Sequence, residues 1–387
     1  MPGDVKFSII VSTWSSLGHH KKFVSEIFIK EHPAMKTILA IDLGKSKSVF
    51  CKMDTIELKP RFSTLATSPQ KFHDVFIELD RQNSIVLFEV GGQSGWLSDM
   101  LRLLGIEFKV ANVNHPSWKW SNNPNKSDKN DAHRLAVMYH CGNFPEVYVP
   151  VKQVRQKRSL VYYRQKIVNR STQVKNSIRA LTTTVAIDLP SGKECWTQKH
   201  RKQLQQLARP LHEIDDLCQL WRGQLFGELQ QLDILQEHLK TVESKLDKLN
   251  KKLQPVTLLQ TVPGVGPRTA EALVAIIDDP HRFKSCRQIC SYVGFTPKRF
   301  QSGNVDRSGR ISKRGNPQLR MLLVQASWAA LRFSWAREIY ERVRRGSKKR
   351  KKTAIIAVAR HLLMRCWAML RDNKSWQYKI AVATVKP

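Results

Sequence analysis

Residues 37–67, TILAIDLGKSKSVFCKMDTIELKPRFSTLAT, decide how the N-terminal part of the chain folds. They hold three strand-like runs, TILAIDLG, KSVFCKMD and RFSTLAT, with connections too short for a helix. Short strands joined this tightly predict a meander. The rhythm then changes. PQKFHDVFIELDRQN opens with Pro69 and spaces Phe72, Val75, Phe76 and Leu79 along one helical face. SIVLFEV is a continuous apolar run, as expected of a strand buried on both faces. GWLSDMLRLLG is helical up to Gly105, and EFKVANV is a further strand. SDKNDAHRLAVMYHCG starts with Ser127 as N-cap and sets Asp128 and Asp131 one helical turn apart, on one face.

Three meander strands, then helix, strand, helix, strand, helix, is the element order of the ribonuclease-H-like fold. In that order Asp42 falls on the first strand, Glu89 on the fourth, and Asp128 with Asp131 on a late helix. The chain has 32 Asp plus Glu against 65 Lys plus Arg. Carboxylates at the ends of buried strands therefore need a reason, and holding a hard cation such as Mg²⁺ is the usual one. Two such ions roughly 3.5–4 Å apart align a nucleophile with a leaving oxygen and offset charge in phosphodiester cleavage.

A length of 387 residues allows two or three domains, and 41% hydrophobic content is ordinary. A net charge of +33 is not. Such a surface calls for a polyanion, and nucleic acid is the commonest one. A membrane partner is not expected, because no apolar run near the ~20 residues of a span stands out. Seven cysteines without a C-x-x-C pair predict reduced thiols in a cytoplasmic protein. His281, Cys286 and Cys290 lack a fourth partner at zinc-site spacing. Residues 1–34 read as a disordered extension, and the fold is expected to begin at Met35.

Residues 35–150 thus form an α/β domain, and 151–255 read as a helical linker. The run from Arg155 to Arg179 is basic, with Tyr162 and Tyr163 interleaved, and suits a phosphate backbone. Leu235, Leu239, Val242, Leu246 and Leu249 step by four and three, a coiled-coil seam for a dimer zipper or an intramolecular hairpin. Residues 256–387 are mostly α. LLQTVPGVGPRTAEALVAII has the look of a helix-hairpin-helix, with Gly264 and Gly266 free to bring N–H groups to a phosphate. A plain helix–helix turn is the alternative.

A loop follows, GFTPKRFQSGNVDRSGRISKRGNPQLR, rich in Gly and cations: Lys298, Arg299, Arg307, Arg310, Lys313 and Arg314. It reads as a phosphate-binding element, since guanidinium groups clamp phosphate and offset transition-state charge. A serine hydroxyl there becomes a nucleophile only when activated. Ser302, Ser308 and Ser312 each supply one. Further on, RVRRGSKKRKK carries eight basic residues between Arg342 and Lys352, among them Arg344, Arg345, Lys348 and Lys349.

These motifs resemble those of the DEDD-plus-serine transposases of the insertion-sequence one-ten family, which includes the pilin-gene inversion recombinase. AIDLGKSK, FEVGGQSG and KSDKNDAHRLA are similar to its RuvC-like domain. TVPGVGPRTA, SYVGFTPKRFQSG, GRISKRGNPQLR and KKTAIIAVARHLL are similar to its C-terminal transposase domain. The resemblance runs from about Lys36 to Met369. It implies that Asp42, Glu89, Asp128 and Asp131 bind Mg²⁺ and that Ser302 attacks DNA to form a phosphoserine link. It also implies donor and target DNA, a bridge RNA, and a homodimer that pairs into a tetramer, acids of one subunit meeting the serine of another. Where the family has Ser-Ser-Gly-Gly or similar, this chain reads Gln301-Ser302-Gly303-Asn304. Two other readings compete: a Mg²⁺-dependent structure-specific nuclease that uses water, and a non-catalytic nucleic-acid-binding protein.

Overall fold

β1 (Thr37–Asp42), β2 (Lys47–Asp54) and β3 (Pro60–Ala66) pair antiparallel, as the meander reading predicts. α1 (Pro69–Ile77), β4 (Ser84–Glu89), α2 (Ser94–Leu104), β5 (Glu107–Ala111) and α3 (Asp128–His140) follow in the predicted order. β4 lies parallel to β1, and β5 parallel to β4, so the five-stranded sheet reads β3-β2-β1-β4-β5. The chain, seen here as a computed structural model that describes residues 37–113, 115, 127–302 and 305–377, divides at Val149 into two units. The extension predicted for residues 1–34 lies outside the described residues.

Strand parity builds two cores, one on each side of the sheet. Ile38, Ala40, Ile85 and Leu87 pack with Ala132, Leu135, Ala136 and Tyr139 of α3. Leu39, Ile41, Val86 and Phe88 pack with Phe72 and Phe76 of α1 and Leu97 and Leu101 of α2. Both faces of β1 and β4 are covered, which is why these strands read as unbroken apolar runs. Phe72 stacks on Trp96 at 5.4 Å and meets Phe50 edge-on at 5.0 Å. β3 is an exposed edge that begins at Pro60, where a missing N–H costs no ladder bond.

The second unit is mostly helical. α4 (Lys152–Thr184) and α6 (Leu220–Asn250) form a long hairpin beside α5 (Gln198–Leu207). Ser177 bonds Glu228 while Arg164 bonds Glu243, so the two long helices run antiparallel. The heptad seam is spent inside the chain. Val242 and Leu246 are buried, Leu235 and Leu239 pack against the same core, and Leu249 alone is exposed.

That core also takes in α7 (Gln254–Gln260), α8 (Pro267–Ile277), α9 (Cys286–Val293), α10 (Pro317–Ala330), α11 (Ser334–Arg344) and α12 (Lys351–Asp372). The stretch Lys348–Asp372 is long and apolar enough to cross a membrane, contrary to the expectation that no such run exists. Ala354, Ile355, Val358, Leu362, Leu363 and Cys366 of this stretch are core residues, which accounts for its apolarity. All seven cysteines are free, and burial pushes the Cys51 thiol up to about 11 and the Cys366 thiol up to about 12.

Candidate active site

Asp42 is the last residue of β1 and Glu89 the last of β4. The parallel register ends at the pair Ile41 and Phe88, so the two acids occupy the next position on neighbouring strands. Strands in a sheet lie about 4.8 Å apart, which sets the two side by side. Parity points both toward the α3 layer, in phase with Ala40 and Leu87.

Their connecting turns are tied together by a residue that the sequence reading did not single out. Gln93 donates from Nε2 to the carbonyls of Gly44 and Lys45, at 3.0 and 3.1 Å, and accepts from Trp96 Nε1 at 3.1 Å. The turn after Asp42 is therefore bonded to the loop after Glu89. Gly44 makes this turn possible, since a Cβ there would sit 2.1 Å from the Lys47 carbonyl oxygen. Ser94 closes the second loop by donating to the Gly91 carbonyl at 2.7 Å.

α3 carries the other two acids in its first turn. Ser127 accepts from the Asn130 N–H at 3.3 Å, capping the helix as predicted. Asp128 and Asp131 extend the stripe that continues as Ala132, Leu135 and Ala136 toward the sheet. Carboxylates at a helix N-terminus also suit the helix dipole by ~0.3–1 kcal/mol, so position alone does not make them ligands.

The donor chemistry of this set suits Mg²⁺, which takes hard oxygen ligands. Its arrangement does not yet make a cage: among the described residues, no three His, Cys, Asp or Glu side chains are gathered so as to hold a metal ion.

Ser302 lies in the second unit, and the predicted loop around it is a β-hairpin. β6 (Pro297–Ser302) pairs antiparallel with β7 (Val305–Ile311), with a register shift between Pro297 and Arg299. Few of its residues are apolar and it has no core of its own, which is why its sequence looks like a loop. Its base is anchored firmly. Ser312 N–H bonds the Thr296 carbonyl at 2.7 Å and Lys313 N–H the Gly294 carbonyl at 3.2 Å. A Cβ on Gly294 would meet the Arg314 carbonyl oxygen at 2.1 Å, and one on Gly315 the Tyr292 carbonyl oxygen at 2.0 Å.

Ser302 is exposed at the far end of β6, and alternation sorts the cations around it. Lys298, Phe300 and Ser302 share one face with Arg307, the cross-strand partner of Phe300. Arg299 faces the other way and forms a two-point ion pair with Asp306, at 2.9 and 2.5 Å. That guanidinium holds the Asp306 carboxyl below the usual carboxylate range. Arg310, Lys313 and Arg314 are exposed at the hairpin base.

The other basic segments divide in the same way. Arg345, Lys348 and Lys349 are exposed beyond α11, whereas Arg344 pairs with Glu341 at 2.9 Å. The basic face read on α4 is largely turned inward. Arg158 donates to the Ala275 and Ile276 carbonyls, Arg164 to Glu243, and Arg179 to the Pro190 and Gly192 carbonyls. These arginines fasten α4 to its neighbours and leave only part of it for a nucleic acid. Tyr163 and Lys166 of α4 line an open cleft of about 570 Å³ together with Asn316 and Gln318.

Residues 39–186 match a family model for DEDD transposases of the IS110 type, described as "Transposase". Residues 256–341 match one described as "Transposase IS116/IS110/IS902 family". The transposase for insertion sequence element IS1111A of Coxiella burnetii is 26% identical over 365 residues, 91% of this chain and 94% of its own length. The chain belongs to the IS110 family of transposases. Putative transposase y4rJ of Sinorhizobium fredii is 28% identical over 389 residues, 87% of this chain and 94% of its own. A pilin gene-inverting protein of Moraxella lacunata is 31% identical over 127 residues, 32% of this chain and 39% of its own.

The transposase thus carries its candidate groups on two units, the acids on the first and Ser302 on the second. Gln93 and Phe300 are the residues near them that sequence reasoning passed over. The neighbourhood of Gln93 to the acid-bearing strands was a usable signal, but an amide bridging two turns across 49 positions has no local pattern.

Proposed function

We propose that this transposase cuts and rejoins DNA as the site-specific recombinase of an insertion sequence, with Ser302 as its nucleophile. The observation that carries the reading is the setting of Ser302: an exposed hydroxyl at the end of a hairpin strand, with Lys298 and Arg307 on its own face. In the reaction the Ser302 Oγ–P bond forms and one P–O bond of the DNA backbone breaks. The Oγ proton is released and the departing oxygen takes one up. One phosphodiester replaces another, so rejoining needs no external energy source. Lys298 and Arg307 would hold the phosphate and offset its developing charge.

Asp42, Glu89, Asp128 and Asp131 are proposed as Mg²⁺ ligands of a RuvC-like domain, whose element order the first unit matches. A hard cation held there would supply charge compensation at the scissile phosphate. Arg310, Lys313, Arg314, Arg345, Lys348 and Lys349 are proposed to bind the phosphate backbone of donor and target DNA. A bridge RNA and assembly of homodimers into a tetramer follow from the family resemblance and belong to the same proposal.

Incubating the protein with Mg²⁺, co-purifying RNA and DNA spanning the element ends, then running a denaturing gel, tests the reading. A covalent protein–DNA adduct that disappears in Ser302→Ala and persists in Ser308→Ala and Ser312→Ala is expected. Cleavage without any adduct would instead establish hydrolysis by water.

A further inference from the structure

Phe300 is 61% exposed on a hairpin whose other described apolar side chains, those of Pro297 and Ile311, lie at its base, with Ile311 packed against the helical core. It faces the same way as Ser302, two positions along β6, and its ring edge lies over Gly309, where an added Cβ would meet it at 3.4 Å. A phenyl ring gains nothing from a phosphate, and this two-stranded ribbon gives it no core to enter. Its flat face suits another kind of surface. Bases stack on aromatic rings whatever their sequence, and apolar side chains placed at a base step unstack it.

We propose that Phe300 stacks on an unpaired or unstacked DNA base beside the phosphate that Ser302 approaches, so that the hairpin opens the strand it presents to the serine. The spacing agrees. Two residues along a strand span about 6.6 Å, close to two base steps of about 3.4 Å. Lys298 and Arg307, on the same face, would hold the flanking backbone. The position of the stacked base rests on the Ser302 reading, whereas the stacking itself can be measured without it.

The test uses the full chain and two DNA duplexes of one sequence, one continuous and one with a single-nucleotide gap, followed by fluorescence anisotropy. Phe300→Ala should weaken binding to the gapped duplex roughly tenfold and leave the continuous duplex unchanged. Phe300→Trp should bind both as the wild type does. Phe300→Leu, apolar but not flat, should behave like Phe300→Ala. Equal affinities for Phe300→Ala and wild type on gapped DNA, or full recovery by Phe300→Leu, would overturn the proposal. So would a lower Tm or a smaller assembly by light scattering in Phe300→Ala, either of which would mean that protein covers the ring. Ser302→Ala should bind both duplexes normally, so a missing adduct in the wild type would refute the serine reading and leave this result standing.

Discussion

Replacing Gly264 by Ala should destabilise the second unit without touching nucleic-acid affinity directly. Gly264 has φ +99°, a region that L side chains avoid. An added Cβ would lie 2.6 Å from Ala330 Cβ and 2.8 Å from Ala330 Cα of α10. Backbone strain of this kind costs ~1–3 kcal/mol, and forcing a methyl into packed structure costs ~1–3 kcal/mol. A total of about 4 kcal/mol lowers the Tm of a unit this size by about 8–16 °C. Gly266 is the contrast: its φ is −86° and an added Cβ would meet nothing within 4 Å. Gly266→Ala should change stability by about 1 kcal/mol or less. Differential scanning calorimetry of both variants checks this. A double-mutant cycle of Gly264→Ala with Ala330→Gly should recover only part of the loss, since the second change removes the contact with Ala330 Cβ but leaves the one with its Cα at 2.8 Å, and the strain. A wild-type Tm in Gly264→Ala, with weakened DNA binding, would refute the packing argument and favour the phosphate-contact reading of this turn.

Asp42→Asn and Asp131→Asn should each abolish strand cleavage while leaving DNA binding by gel shift intact; full cleavage in either variant with Mg²⁺ present would contradict the ligand assignment. Gln93→Ala removes both bonds to the Gly44 and Lys45 carbonyls, so it should raise the Mg²⁺ concentration needed for half-maximal cleavage with little change in Tm; an unchanged Mg²⁺ dependence would show that the clamp does not position the acids. Glu271 is buried, and desolvation raises its pKa above the ordinary 4.5 despite Arg268 and Asn250. The folded state then holds this proton more tightly than the unfolded chain, so its contribution to stability is complete below 4.5 and lost as pH rises through the raised value. Glu271→Gln should flatten that decline in a series of denaturant titrations across pH, and an identical slope in the variant would refute it.

The first unit was legible because its signals are local and periodic. Continuous apolar runs marked β1 and β4, Pro69 and Ser127 marked helix starts, and Gly105 marked a helix end that adopts φ +68° as its C-cap. Asp42 and Glu89 could be placed on neighbouring strand ends from that order alone. The second unit was harder. The seam on α6 has the same spacing whether its partner is a second chain or α4, and only tertiary contact shows that α4 and the C-terminal core consume it. The hairpin bearing Ser302 was read as a loop because hydrophobic alternation, the usual mark of a strand, is absent from a ribbon without a core. Charge counting overstated α4 as a nucleic-acid surface. Arginines that cap carbonyls, as Arg158 does at the end of α8, look in sequence like arginines that await a phosphate.

The central claim is that DNA becomes esterified to Ser302, and peptide mapping of the adduct tests it most directly. The covalent complex formed with Mg²⁺ is digested with nuclease and then with trypsin, and the nucleotide-bearing peptide is sequenced by mass spectrometry. Cleavage after Arg299 and Arg307 yields Phe300–Arg307, FQSGNVDR, in which Ser302 is the one hydroxyl-bearing residue. The account predicts the nucleotide mass on that peptide and its absence in Ser302→Ala. A nucleotide on the peptide that carries Ser308, or on any other peptide of the wild type, would contradict it.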